Sequence, residues 1–195
     1  MLTDVIMFKN KTKRFEGIAM QIYLSTLTEN DYDTSLDAIE AAFSDVAESN
    51  HDEQELVKKL RKAPEYNYEL EVVAKNDEGE VIGHIMLSEI SIVSGDNHYT
   101  ALALAPLSVL VDYRGKGIGK ALIQAVEERA KAQDYSTIIV LGDPSYYGKF
   151  GYEEAEDFEI SNPFDVPSKC FMVKFLWDPL LEQPKGDVIY SEAFN

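Results

Sequence analysis

Leu104-Ala105-Pro106-Leu107-Ser108-Val109-Leu110-Val111, then Asp112-Tyr113, then Arg114-Gly115-Lys116-Gly117-Ile118-Gly119 is the stretch on which the fold turns. Its first part is apolar, too short to span a membrane, and rich in Leu and Val, which reads as a buried strand. After the glycines, apolar residues recur at Ile118, Leu122, Ile123, Val126 and Ala130, the spacing of a helix. The glycines therefore sit where a strand becomes a helix. A helix N-terminus leaves backbone N–H groups without intrahelical partners and carries partial positive charge, so an anion fits there. Glycines at 115, 117 and 119 remove the Cβ atoms that would hold a phosphate away, and Arg114, Lys116 and Lys120 add cationic side chains. Each favourable charge at a helix end is worth roughly 0.3 to 1 kcal/mol, and about 2 when partly buried.

Spacing alone leaves several readings of this turn open. A phosphate-binding P-loop needs Gly-x-x-x-x-Gly-Lys-Ser/Thr, and no Ser or Thr follows these lysines. A dinucleotide fingerprint needs Gly-x-Gly-x-x-Gly, whereas here the third glycine, Gly119, falls one residue early. A glycine-rich turn with no ligand is the bland alternative.

The run Leu107 to Gly119 resembles the acetyl-CoA-binding segment of the GNAT N-acetyltransferases, whose signature is Gln/Arg-x-x-Gly-x-Gly/Ala. Further on, Val140-Leu141-Gly142-Asp143-Pro144-Ser145-Tyr146-Tyr147-Gly148-Lys149-Phe150-Gly151-Tyr152 is similar to that family's second region, a Tyr-x-Lys-x-Gly-Phe/Tyr run after the fifth strand. The likeness covers about residues 20 to 195. It implies an α/β (α+β) fold: a mixed, mostly antiparallel central sheet with a parallel, splayed strand pair and flanking helices. It implies acetyl-CoA as cosubstrate, with the pyrophosphate on the backbone of Arg114, Gly115, Lys116, Gly117, Ile118 and Gly119 and Lys120 at the edge. The pantetheine arm would run along Val109, Leu110 and Val111. Tyr147 would be the general acid for the departing thiolate, a role that suits a hydroxyl near a developing sulfur anion. Many members place an asparagine after the fifth strand, where this chain has Gly142-Asp143-Pro144; a bacterial branch of the family shares that wording.

The rest of the composition narrows partners. Across 195 residues, 35 acidic against 18 basic side chains give a net charge of −17. That argues against nucleic acid, which needs a basic face, and favours cationic acceptors such as amines. Cys170 is the sole cysteine, so no internal disulfide forms, in keeping with a cytoplasmic protein. It starts an apolar run and reads as a small packed residue rather than a nucleophile. The three histidines, His51, His84 and His98, form no cluster with metal-ligand spacing, and no metal is expected. With no run of 18 apolar residues, no membrane partner is expected either.

In chain order, residues 1–19 carry a local charge of +2 against −19 for the remainder, and read as a basic, poorly packed extension before a single domain over 20–195. Two helical patterns follow, one through Leu36, Ile39, Ala42, Phe43 and Val46, the other over 52–62, stopped by Pro64. The resemblance places the segment between them, with Glu48, His51 and Asp52, against the acceptor. Strands are expected at 68–74, 81–93 and 99–111 as an antiparallel meander, at 136–141 parallel to the last of these, and near 158–160 and 171–177 returning antiparallel on the fifth.

An amine must lose a proton before it attacks a thioester. His84, Ser88 and Glu89 on the middle strand supply the candidate base, His84 or Glu89 foremost, directly or through water. A hydrogen-bonded core histidine is the other reading of His84, and the preferred one. The expected activity is acetyl transfer from acetyl-CoA to a small-molecule or peptide amine in a ternary complex, by a monomer or homodimer. A non-catalytic acyl-CoA sensor or interaction module on the same fold is the alternative.

Overall fold

The computed structural model describes residues 21–47, 49–177 and 182–194. The expected extension over 1–19 and the candidate Glu48 lie outside them.

Nine strands among the described residues make one sheet. The strands β1 (Tyr23–Thr26), β2 (Glu71–Lys75), β3 (Val81–Ser94) and β4 (Asn97–Val109) form an antiparallel run. β5 (Thr137–Leu141) then lies parallel to β4, and β8 (Phe171–Phe175) antiparallel to β5. The short β6 (Glu153–Glu154) pairs with β8. The expected mixed, mostly antiparallel sheet is therefore present.

Helices cover both faces. α3 (Ile118–Ala132) buries Ile118, Leu122, Ile123, Val126 and Ala130 against Val72, Ala74, Ile85 and Leu104. Gly83 permits this approach, since a Cβ there would stand 3.1 Å from Leu122 Cδ1 and 3.2 Å from Ile118 Cγ2. On the opposite face, α1 (Tyr32–Phe43) and α2 (Glu53–Leu60) pack Ile39, Val57 and Leu60 on Met86. Because β3 is covered on both sides, every residue from Val81 to Leu87 is buried, His84 included.

Three departures from the sequence reading have physical causes. β4 ends at Val109, and Val111–Tyr113 is a 3₁₀ turn, so the strand does not reach Val111. The segment 158–160 does not return on β5; Phe158 closes a 3₁₀ turn, and β7 (Ile160–Ser161) pairs parallel with β9 (Gly186–Ile189). β9 itself lies against the distal end of β3, with Val188 opposite Ile92. Its four residues carry one buried side chain, too few for an apolar alternation to announce a strand.

The sheet meets α1 and α2 through a buried charged cluster. Glu71 accepts from Arg61 Nη2 at 2.7 Å and Nε at 3.1 Å, from Tyr66 Oη at 2.6 Å, and is 2.6 Å from His84 Nε2. Arg61 also donates to Ser35 Oγ at 2.7 Å and to the Tyr32 carbonyl at 3.3 Å, and its guanidinium lies over the Tyr32 ring. The Glu71 side chain is wholly inaccessible and that of Arg61 only 7% exposed, so neither charge has water to fall back on. Burial alone would raise the Glu71 carboxyl, but the His84 hydrogen bond and the Arg61 guanidinium outweigh it and hold the carboxyl below its ordinary value. Burial lowers the His84 imidazole, with Glu71 opposing.

Glu71→Ala should lower unfolding stability by about 3–5 kcal/mol, because it strands a buried guanidinium; urea titration measures this. Both folded-state values are depressed, so both groups stabilise the fold above their unfolded values and lose that contribution as pH falls. The urea midpoint should be flat above about pH 6.5 and decline below it, first through His84 and then through Glu71. In His84→Gln the loss should begin only in the carboxylate range.

Candidate active site

β4 and β5 pair over three positions, Leu102 with Ile138, Ala103 with Ile139 and Leu104 with Val140, and then part. At that point β4 carries a bulge. Leu87 faces Leu104 while Ile85 faces Leu107, so Ala105 and Pro106 take up one residue more than β3 offers. Pro106 suits the place, having no N–H for a ladder. Between the diverging strands opens a cleft of about 710 Å³.

Its floor is Leu107, Ser108 and Val109 of β4. One end is the glycine turn, with Gly115, Gly117, Ile118, Gly119 and Lys120 in the wall. Gly115 and Gly117 have φ of +73° and +86°, a region strained for other residues, and a Cβ on either would project into open space. The N–H groups of Ile118, Gly119 and Lys120 begin α3 and have no carbonyl one turn back within the helix. Gly119 serves another purpose: a Cβ there would stand against the Tyr146 hydroxyl and push that side chain aside.

The opposite wall comes from the loop after β5. Asp143 caps the four-residue α4 (Pro144–Tyr147), accepting from Ser145 N at 2.8 Å. This sets Tyr146 and Tyr147 edge to face, ring centroids 5.1 Å apart, with Phe150 behind Tyr146. The Tyr147 ring lies on Gly142, where a Cβ would meet Cε2 at 2.3 Å, and its edge packs on Tyr152. Gly142 is thus the seat of the Tyr147 ring. Burial raises the Tyr147 hydroxyl well above the ordinary tyrosine range, so it stays protonated and able to donate.

The sequence candidates are distributed as follows. Val109, Arg114, Gly115, Gly117, Ile118, Gly119, Lys120 and Tyr147 line one cleft. Leu110 does not; it is half-buried against Leu27, Ala38, Val73 and Val81. Val111 is exposed, and Lys116 lies over the Tyr113 ring, 5.1 Å from its centroid. Arg114 turns away from the glycine turn: Nε donates to the Val109 carbonyl, Nη1 and Nη2 to Asp45, and Nη2 to the Ala42 carbonyl. It fastens the end of α1 to the end of β4.

Glu89 is not in the cleft wall. It accepts from Tyr135 Oη beyond α3, and burial together with this bond pushes the Tyr135 hydroxyl up to about 12. Ser88 lies next to it, opposite Ala103 in the ladder. His84 is fully buried, with Nε2 on Glu71 and Nδ1 unpartnered. His51 and Asp52 stand outside as well; the His51 ring bonds the Phe43 carbonyl from 3.0 Å and Asp52 starts α2.

Residues that the sequence reading missed are Ala42 and Phe43 at the end of α1 and Val46 just beyond it, with Ser108, Tyr113 and Asp143. The first three had been read only as a packing stripe, since nothing in a sequence tells which end of an apolar stripe overhangs a cleft. Among the described residues no group of three or more His, Cys, Asp or Glu could hold a metal ion, and no helix is long and apolar enough to cross a membrane.

Comparison with known proteins agrees with this fold. An uncharacterized N-acetyltransferase of Escherichia coli, YhbS, is 32% identical over 126 residues, 65% of this chain and 74% of its own length. The crystal structure of the Escherichia coli GNAT family N-acetyltransferase YhbS in complex with CoA superposes with a TM-score of 0.76 at 27% identity, over 93% of this chain and 96% of that one. A GNAT family acetyltransferase from Brucella melitensis, solved with acetyl-CoA, gives 0.73 at 30% identity over 90% and 99%. Residues 34–152 match the profile of the acetyltransferase (GNAT) family, and the chain belongs to that family.

Proposed function

We propose that this chain transfers the acetyl group of acetyl-CoA to a primary amine by direct attack in a ternary complex. The observation that carries the reading is the meeting, in one cleft, of a glycine turn at a helix N-terminus and a tyrosine held neutral on the facing wall. The two structural neighbours that hold CoA and acetyl-CoA support the same choice of cosubstrate.

The residues fit that cosubstrate. Unpartnered N–H groups at Ile118, Gly119 and Lys120, backed by the Lys120 ammonium, would receive the pyrophosphate. Val109, at the free edge of β4, would bond an extended pantetheine arm as a strand does. Arg114 serves by holding the wall, since its guanidinium is taken by Asp45 and two carbonyls. Acetyl-CoA supplies the thioester. Tyr147 would protonate the sulfur as the bond to the acetyl carbon breaks, and its raised value keeps that proton in place until then. The charge of −17 draws cationic acceptors, and Asp143 puts a carboxylate in the cleft wall. Glu89, engaged elsewhere, is set aside as base. His84 reaches the cleft only through another group.

Tyr147→Phe should reduce kcat by about 10- to 10³-fold with little change in acetyl-CoA affinity, read as thiol release with spermidine, kanamycin and a lysine peptide as probe amines; unaltered turnover would remove Tyr147 from the chemistry. Calorimetric titration with acetyl-CoA should give binding that Gly117→Glu abolishes, because the substitution strains a left-handed residue and sets an anion at the pyrophosphate's place. Binding without turnover on any of the three amines would instead favour a non-catalytic acyl-CoA sensor.

A further inference from the structure

Two polar atoms near the cleft have no partner, and they belong to residues that face each other. Ser108 lines the cleft, is 4% exposed, and its Oγ makes no hydrogen bond. His84 stands directly opposite it in the β3–β4 ladder, so the two side chains rise from the same face of the sheet. Paired residues of this kind have Cβ atoms about 4.5–5.5 Å apart, a gap that a serine hydroxyl and an imidazole span by side-chain rotation or through one water.

The far side of His84 fixes its chemistry. Glu71 is ionised and can only accept, so the Nε2 that meets it at 2.6 Å carries the ring proton, and Nδ1 is left with a lone pair. That lone pair is the unpartnered atom. The groups facing His84 are Glu71 on β2, with Arg61 and Tyr66 behind it, and Ser108 on β4. A serine, a histidine and a carboxylate thus stand in line from the cleft into the core, in the order hydroxyl, Nδ1, Nε2–H, carboxylate.

We propose that Ser108 takes the proton from the acceptor amine and passes its own to His84 Nδ1, with Glu71 stabilising the imidazolium that results. The assignment rests on the acetyl-transfer reading above. As the amine N–H bond breaks, an O–H bond forms on Ser108 while the original Ser108 proton moves to Nδ1. No group is transferred to the protein and no electrons are exchanged. The proton returns by the same hydroxyl to the cleft, where solvent or the Tyr147 phenolate left by protonation of the sulfur takes it. Ser108 is the catalytic group here, and His84 and Glu71 position and charge it. The depressed His84 value keeps Nδ1 bare, ready to accept, at neutral pH.

The test needs no knowledge of the acceptor. In a Cys170→Ser background, which removes the sole native thiol, Ser108→Cys places a thiol before His84. Burial alone raises a thiol above its ordinary value of about 8.5, whereas an imidazole partner lowers it to about 3.5–7.5. Ultraviolet thiolate absorbance should therefore titrate in the lower range, and adding His84→Gln should move it above about 8.5. A midpoint at or above about 8.5 in the folded Ser108→Cys protein would overturn the pairing.

Turnover with the three probe amines gives the second arm, usable if the cysteine variant does not fold. Ser108→Ala should lower kcat by about 10²-fold or more and displace the acidic limb of the kcat/KM profile, while Ser108→Thr, which keeps the hydroxyl, retains most of the rate. Equal rates and pH profiles for the unaltered protein and Ser108→Ala defeat the relay alone. No turnover by the unaltered protein defeats the acetyl-transfer reading, and the relay as a catalytic device with it.

Discussion

Everything at the site depends on β4 leaving β5 after Leu104. A strand in the middle of a sheet normally has both edges paired, because an unpaired N–H or C=O away from water costs about as much as a lost hydrogen bond. Here the edge of β4 beyond Leu104 loses its neighbour, and the two-residue bulge at Ala105 and Pro106 turns the strand as it separates. The resulting slot is a strand vacancy inside the fold, the kind of edge that an extended ligand fills by main-chain pairing. The glycine turn lies at its end because β4 runs into it through a single 3₁₀ turn, Val111–Tyr113, and α3 starts immediately after. Cleft, turn and helix N-terminus are consecutive in sequence and so are fixed relative to one another.

The other wall is held by charge. α1 reaches over the cleft with Ala42 and Phe43, followed by Val46 just past its end, and it is tethered near both ends. Near its start, Arg61 bonds Ser35 and the Tyr32 carbonyl while ion-paired to Glu71 in the sheet. At its end, Arg114 bonds the Ala42 carbonyl and Asp45. The two tethers differ in strength. The Arg61 and Glu71 pair is desolvated and hydrogen-bonded throughout, so breaking it leaves a stranded charge. The Arg114 and Asp45 side chains are 40% and 51% exposed, where an ion pair is worth little by itself. The start of α1 is thus anchored in the core, while the end that forms the cleft wall is held mainly through carbonyls.

Much of this was legible in the sequence for a definite reason. The glycine turn, the α3 stripe and the long β3 and β4 strands are local patterns, readable from periodicity and from residues that tolerate positive φ. Tyr147 was marked only by the likeness of its Tyr-x-Lys-x-Gly run to the family's. What could not be read depends on partners distant in sequence. Glu71 looks like any charge at the start of a strand until Arg61, Tyr66 and His84 are brought around it. Glu89 and His84 lie on the same strand five residues apart, so alternation puts them on opposite faces, and only the packing of α3 and α1 decides which faces the cleft. β9 was missed because its pairing with β3 and β7 comes from register at the far end of the sheet, not from its own four residues.

The arrangement also explains why two titratable groups can hold opposite proton states a few residues from one cleft. Tyr147 is half-buried among Tyr146, Tyr152 and Gly142, with no cation to favour the phenolate, so desolvation, with a smaller contribution from Tyr146, keeps the proton on. His84 is fully buried, and for a base desolvation removes the proton, while the Glu71 carboxylate that opposes this is itself drawn toward Arg61. The same physical effect, exclusion of water, therefore keeps a donor on one wall and a proton-free acceptor nitrogen behind the other, because it always disfavours the charged form. The acetyl transfer proposed above, which takes a proton from an amine and delivers one to sulfur, would use that polarity across the cleft. It follows from placing a tyrosine on the β5 side and a histidine behind β4.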